Sequence, residues 1–196
     1  MNKIEVFKDE LEYIKNERIR KSAETLIELI PDYFFEVPAS STGKYHPSFS
    51  QNEGGLLRHT KVATAIGKEV LSLEYTNNLF TDDEKDILIL SIMLHDTQKL
   101  GNPKERYTRF DHPLLAADFI EENKEKTELK EEEIVLLKRV ISSHMGEWNI
   151  SSYSNVELPK PSDKYEFFVH MCDYLSSKKF LDVEFDNNNN IVRTRR

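Results

Sequence analysis

His95 and Asp96 stand side by side at the end of an apolar run, Ile87-Leu88-Ile89-Leu90-Ser91-Ile92-Met93-Leu94. Imidazole and carboxylate are both good ligands for divalent metals. A charge buried at the inner end of such a segment is costly unless it is paired or bound to metal. The pair therefore points to a divalent cation. The chain has six histidines, at 46, 59, 95, 112, 144 and 170. His59, His95, His112 and His144 fall near the ends or on the inner parts of expected helices, and Asp96 and Asp173 supply carboxylates. Adjacent helical residues point about 100° apart, as follows from about 3.6 residues per turn. His95 and Asp96 can thus share an ion only in a crevice between helices, with ligands from neighbouring helices; His59 and Asp173 lie on suitable ones. Taken singly, each histidine has a plainer reading as a hydrogen-bonded core residue. One ion explains them together.

The elements that must position these residues read as helices. Ile4, Phe7, Leu11 and Ile14 follow a helical spacing, as do Ile19, Ala23, Leu26, Ile27 and Ile30, before Pro31. Residues 37 to 53 read as a loop, with Pro38, Ser40-Ser41-Thr42-Gly43, Pro47 and Asn52. A helix is expected from Gly55 to Tyr75. Thr81-Asp82-Asp83-Glu84 is a capping box that starts the helix leading to His95. His112-Pro113 opens the next helix, since proline suits a first helical position. The charged run from Glu121 to Glu133 reads as a solvated junction. Ile134, Leu137, Val140 and Ile141 form an amphipathic helix ending near His144, and Ser162 is placed to cap a last helix carrying Asp173. The expected fold class is all-α: a single-domain helical bundle over residues 1–179, then a C-terminal hairpin or flexible tail over 180–196.

The 196 residues suffice for one domain with a good core, and 38% hydrophobic with 32% charged residues fits a soluble globular protein. No stretch approaches the ~20 apolar residues of a membrane span. The first residues carry acids and no apolar signal core. One cysteine, Cys172, excludes an internal disulfide framework, and a cytoplasmic location is expected. The net charge is −8, and the only basic run is Arg193-Thr194-Arg195-Arg196. A long nucleic-acid track, which needs a basic stripe, is disfavoured; a small anionic substrate is not.

The order His59, His95-Asp96, His112, His144, Asp173 resembles the HD-domain metal-dependent phosphohydrolase superfamily. Gly54-Gly55-Leu56-Leu57-Arg58-His59-Thr60 resembles the "GGLLxHT" segment of one branch. Leu94-His95-Asp96-Thr97-Gln98-Lys99 resembles "LHDxGK", and Ile141-Ser142-Ser143-His144-Met145-Gly146-Glu147 resembles "ISSHHGE". Leu158-Pro159 with His170-Met171-Cys172-Asp173-Tyr174-Leu175 resembles "LP…HxxDxLD". The most similar branch is the HD module of bacterial 3′-to-5′ exoribonucleases, and the match covers about residues 45–178. The resemblance implies an all-α bundle and hydrolytic attack on phosphate esters. It implies one metal held by His59, His95, Asp96 and Asp173, and a second held by His112 and His144 with Asp96 as the bridge. Two divalent transition ions per chain are therefore expected, of Mn, Fe, Co, Ni or Zn. Two such ions generate hydroxide near neutral pH and clamp the attacking and leaving oxygens of an in-line displacement.

Around that centre, Lys99 is expected to contact phosphate and to join Asp96 in catalysis; an ordinary lysine at a helix C-terminus is the alternative. Arg58, Arg109 and His46 are candidate substrate contacts, and Arg106 flanks the same segments; a solvated surface role is the plain reading of each. His170 is a candidate partner for the metal carboxylate. Trp148 and Tyr153 can stack a base or simply pack over the core. Three positions depart from the family pattern. Gln98 stands where glycine is usual, Met145 replaces the second histidine of "HH", and Ser176 replaces the second aspartate of "DxLD". Only about 45 residues precede the motif region, so the exoribonuclease's separate nucleic-acid-binding β-barrel is expected to be missing. The expected activity is a metal-dependent phosphohydrolase acting on a nucleotide or short oligonucleotide. The alternatives are a deoxynucleoside triphosphate triphosphohydrolase, a di-iron oxygenase and an inactive nucleotide-binding module. The sequence leaves the oligomeric state open.

Overall fold

The structure, a computed structural model, describes residues 1–40, 46–181 and 183–192. The loop residues Ser41-Thr42-Gly43, the first residue of the motif region at 45, Asp182 in the tail and the basic run 193–196 lie outside the described residues. Eight α-helices follow in order among the described residues: α1 Lys3–Val6, α2 Lys8–Leu11, α3 Glu17–Glu28, α4 Gly55–Leu71, α5 Asp82–Leu94, α6 His112–Asn123, α7 Glu131–Ser142 and α8 Lys164–Ser176. No helix is long and apolar enough to cross a membrane. No strand is present among them, only one antiparallel bridge between Phe185 and Ile191. The protein is an all-α helical domain.

α5 is the axis of this arrangement. Every residue from Asp86 to Leu94 is buried, because the run has no polar side to turn outward. Helices α3, α4, α7 and α8 all pack on it. Each fully buried Ile or Leu contributes on the order of 1.5–3 kcal/mol, so the helix that delivers His95 and Asp96 is also a main source of core stability. Its start is fixed by the capping box: Thr81 Oγ1 accepts from the Glu84 backbone N–H, and Glu84 accepts from that of Thr81 at 2.7 Å. Asp86, buried one turn further on, accepts the backbone N–H groups of Lys15 and Asn16, which pins the start of α3 to α5.

Boundaries differ from the sequence expectations in several places. The segment around Ile4 to Ile14 forms two short helices, with Phe7 buried between them. α4 stops at Leu71 rather than Tyr75, and a 3-10 turn over Glu74–Asn78 follows. Asp163, not Ser162, caps α8, accepting from the Tyr165 and Glu166 backbone N–H groups. Within the charged run, Glu133 is buried rather than solvated because Arg18 grips its carboxylate through both terminal nitrogens, at 2.8 and 2.6 Å.

The C-terminal segment forms a minimal hairpin. The Asp186 carboxylate accepts the backbone N–H groups of Asn188 and Asn190 and closes the turn. The turn docks on the start of α4, where Phe185 meets the Phe49 ring and Asn189 accepts from Arg58.

Candidate metal centre

Six side chains from five helical segments meet at one end of α5. His59 comes from α4, His95 is the residue just past α5, and Asp96 follows it. His112 opens α6, His144 sits two residues beyond α7, and Asp173 lies on α8. The four histidines and Asp96 are buried, whereas the Asp173 side chain is 21% exposed. Solvent therefore reaches the group from the α8 side.

The histidines are held in one orientation. The Nδ1 atoms of His95, His112 and His144 each lie 2.7 Å from a carbonyl oxygen three residues back, those of Ile92, Arg109 and Ile141. His95 and His144 follow helix ends, where carbonyls lack their intrahelical N–H partners; the ring N–H supplies one. His59 Nδ1 lies 3.0 Å from Ser176 Oγ, whose own hydrogen goes to the Asp173 carbonyl oxygen at 2.7 Å. Each Nδ1 is thus a donor, and each Nε2 carries the lone pair.

All four Nε2 atoms converge on the two aspartates. Asp173 Oδ1 lies 2.9 Å from His59 Nε2 and 3.5 Å from His95 Nε2. Asp96 divides its oxygens. Oδ2 faces His95 and His59 Nε2, at 3.5 and 3.8 Å. Oδ1 faces His112 and His144 Nε2, at 2.9 and 3.6 Å, and those two nitrogens are 3.3 Å apart. His95 Nε2 and Asp96 Oδ1 are buried without a hydrogen-bond partner among the described residues. Lone pairs facing lone pairs in a buried space repel unless a cation lies between them. Ions bound at ~2.0–2.2 Å by nitrogen and oxygen hold neighbouring donor atoms roughly 3–3.5 Å apart, close to the 2.9–3.8 Å separations found here. Two ligand triads stand out, His59-His95-Asp173 and His95-Asp96-His144. The residues present fit divalent metal.

Electrostatics agree. Burial pushes the Asp96 carboxyl up, but the Lys99 ammonium, then His95 and the nearby His112 and His144 imidazoles, outweigh it and hold it well below 3.8. Asp173 is likewise held well below 3.8, burial being outweighed by His59 and His95. Burial, aided by the Lys99 charge, lowers His112 to about 4, which leaves it neutral and ligand-ready at pH 7. His95 goes the other way: burial lowers it, but Asp96 and Asp173 together raise it above 6.5. The two carboxylates thus favour a proton on His95 when no ion is bound, and a cation competes with that proton. Metal affinity is therefore expected to fall about tenfold per pH unit, per displaced proton, below the raised His95 value. Adding Mn²⁺ or Zn²⁺ to weakly buffered protein at pH 6.5 should release acid; uptake with no proton release would contradict this.

Other candidates land in varied places. Lys99 points into the centre, its Nζ 2.7 Å from Asp96 Oδ2. Tyr33 holds the turn bearing Lys99, its hydroxyl donating to the Thr97 carbonyl oxygen and accepting from the Leu100 backbone N–H. Gln98 does not strain that turn; the left-handed residue is Gly101, with φ of 76°. The His46 ring lies edge-on to His59 with centroids 5.5 Å apart, and its Nδ1 has no hydrogen-bond partner among the described residues. Burial first, then His59 and Lys99, lowers His46 to about 4.

Two arginines do not take the role expected of them. The Arg58 guanidinium donates to the carbonyl oxygens of Phe49, Gln51 and Glu53 and to Asn189, so it clamps loops. Arg109 is held bidentately by Asp111 and also donates to Glu105. What Arg109 gives the site is its carbonyl oxygen, on His112. Arg106 lies over the exposed Tyr107 ring. His170 does not touch the Asp173 carboxylate; its Nδ1 donates to the His144 carbonyl oxygen at 2.7 Å. Its ring fills the space beside Gly146, where an added Cβ would lie 2.1 Å from it.

Sequence reasoning counted Ser176 only as a missing aspartate, yet it orients His59. The available signal was spacing, since Ser176 is one turn beyond Asp173 on α8. Ser176→Ala is expected to weaken metal binding about 10- to 100-fold, measured by competition with a chromogenic chelator. Unchanged affinity would remove Ser176 from the centre.

No protein-family model matches the chain, and no solved structure matches it significantly. Curated relatives do. The 3′-5′ exoribonuclease YhaM of Listeria innocua is 27% identical over 161 residues, covering 76% of this chain and 48% of the relative. Those of Listeria welshimeri and Listeria monocytogenes are 27% and 26% identical over the same length. The chain spans about half the length of the curated relatives it matches. Motif order and these relatives agree: the chain resembles the HD module of bacterial 3′-to-5′ exoribonucleases.

Proposed function

We propose that this protein is a metal-dependent phosphohydrolase that cleaves a phosphate ester of a nucleotide or short oligonucleotide at a two-metal centre. The observation that carries the reading is the division of Asp96, one oxygen toward His59 and His95 and the other toward His112 and His144. His59, His95, Asp96 and Asp173 would hold one ion, and Asp96, His112 and His144 the other. Bound divalent ions supply Lewis acidity toward a phosphoryl oxygen and make water acidic enough to attack near neutral pH.

The chain's own groups do the rest. Hydrogen bonds from each Nδ1 keep the imidazoles from rotating, so the ligand set costs little reorganisation. Lys99 places an ammonium at the edge of the centre, where it can meet a phosphate oxygen as a point charge. His46, beside His59 with a ring nitrogen that has no partner among the described residues, is a candidate to hydrogen-bond the substrate. The exposed edge of Asp173 marks the side from which the substrate enters. That the relatives are 3′-5′ exoribonucleases supports a phosphodiester as the bond cut, with nucleotides or short oligonucleotides favoured over long RNA by the net charge of −8.

The test is a screen of metal-loaded protein against short RNA and DNA oligomers, cyclic nucleotides and deoxynucleoside triphosphates, with Mn²⁺, Co²⁺, Fe²⁺, Ni²⁺ and Zn²⁺. Release of mononucleotides from oligomers is expected. No turnover of any phosphate ester with any of these ions would overturn the hydrolase reading.

A further inference from the structure

One face of α8 is apolar yet turned to solvent. Phe167 and Met171 are 52% and 43% exposed, Tyr174 continues the same helical stripe, and Lys178 lies just past the helix end. Beside it, Trp148 from the loop after α7 is 52% exposed. Trp148 and Tyr174 are stacked, with centroids 5.6 Å apart and planes 17° from parallel. The Lys178 Nζ lies 3.3 Å from the Tyr174 centroid and 5.9 Å from that of Trp148. A half-bare indole, backed by a second ring and edged by an ammonium, offers a π-face to a base and a charge to its phosphate.

The pair is tied to the metal centre. Tyr174 directly follows Asp173, the most exposed metal-ligand candidate, and Trp148 lies four residues beyond His144. The His170 ring stands between the segments, donating to the His144 carbonyl oxygen, with its centroid 6.3 Å from Trp148 and 6.0 Å from Tyr174. The platform is thus built on the two backbone segments that carry His144 and Asp173, on the side where the centre meets solvent. Phosphate ligands alone leave these rings without a role, since the centre already holds its charges.

We propose that Trp148, supported by Tyr174 and Lys178, is the base-stacking platform that makes a base-bearing single-stranded oligonucleotide the substrate. This rests on the hydrolase reading and specifies its substrate class.

Trp148 is the only tryptophan of the chain, so its emission reports the platform directly. Metal-loaded protein is titrated with a phosphorothioate-linked five-nucleotide RNA, with an abasic oligomer of equal phosphate number, and with inorganic phosphate. Quenching by the RNA alone is expected. Trp148→Ala should raise KM for short RNA roughly 5- to 150-fold, the range for loss of one base stack, and Trp148→Phe should restore most of it. If RNA is cut but the emission ignores bases and Trp148→Ala leaves KM unchanged, the platform is overturned while the hydrolase reading stands. If emission changes with protein concentration alone, the stripe is a self-association face and the proposal fails. If no phosphate ester of any kind is cut, the hydrolase reading fails, and base-specific quenching still decides the platform.

Discussion

Asp96→Ala should lose both metal and turnover, and by more than any other single change at the centre. Among the described residues, Asp96 is the only carboxylate that faces both histidine pairs. Removing it leaves His112 and His144 as two nitrogen donors, too few to retain an ion, and takes one of two carboxylates from His59 and His95. Lewis-acid stabilisation by bound ions is worth several kcal/mol, which at ~1.4 kcal/mol per factor of ten corresponds to a loss on the order of 10³-fold or more. Metal content by elemental analysis and turnover of a short RNA are the two readouts. Asp96→Asn separates charge from shape: it retains the volume but lacks the anion, and should fall nearly as far. Circular dichroism controls for folding, since Lys99 loses its partner in both variants and its side chain is only 13% exposed. Full metal content in either variant would contradict the bridging role.

The His/Asp cluster was legible in the sequence because its chemistry is conspicuous against its surroundings. An aspartate after eight residues of core, Ile87 to Leu94, has few physical excuses. The same contrast made α5 and its capping box readable. The arginines were misjudged for the opposite reason. Arg58 and Arg109 look like phosphate ligands by type and proximity, but a guanidinium has five donors and satisfies whichever acceptors folding brings near. Backbone carbonyl oxygens at 49, 51 and 53 and the carboxylates of Glu105 and Asp111 carry no mark in a sequence that says they will be those acceptors. Ser176 was invisible in a related way: its hydroxyl matters through an acceptor and a donor on other turns. Spacing along α8 points His170 toward Asp173, whereas its contact is a hydrogen bond to the His144 carbonyl oxygen in the loop after α7, the other role its position allows. Helix ends such as Leu71 depend on what caps them, here a 3-10 turn, rather than on the apolar period that runs on toward Tyr75.

The exposed stripe of α8 shows the limit of periodicity from the other side. Phe167 and Met171 fit an inward-facing pattern on their own, and only packing shows that the bundle leaves them uncovered. A residue type fixes what a face is able to bury, and the neighbours determine whether it is buried.

The largest stability effect is expected at Lys61, whose ammonium is fully buried. Its Nζ contacts Glu10 Oε2 at 2.7 Å and the Val6 carbonyl oxygen at 2.6 Å. The pair joins the N-terminal helices to α4, two residues from His59. Burying it is unfavourable for the acid: desolvation raises the Glu10 carboxyl above 4.5 even though Lys61 pulls it down. Lys61→Met removes the compensating charge and leaves a carboxylate in the core, a change that costs about 3–5 kcal/mol. The sign of its pH dependence follows. An acid with a raised folded-state value binds more protons folded than unfolded, so stability is gained as pH falls through that value and lost as pH rises above it. Lys61→Met should therefore recover part of its lost stability between pH 7 and pH 5, measured by urea denaturation with the wild type alongside. Replacing both partners, Glu10→Leu with Lys61→Met, should recover most of the loss at pH 7, because no buried charge remains. If the single variant is no less stable than the double at pH 7, the buried pair does not hold the N-terminal helices in place. Since α4 carries His59, the single variant should also bind metal more weakly, and the double variant should restore that affinity together with the fold.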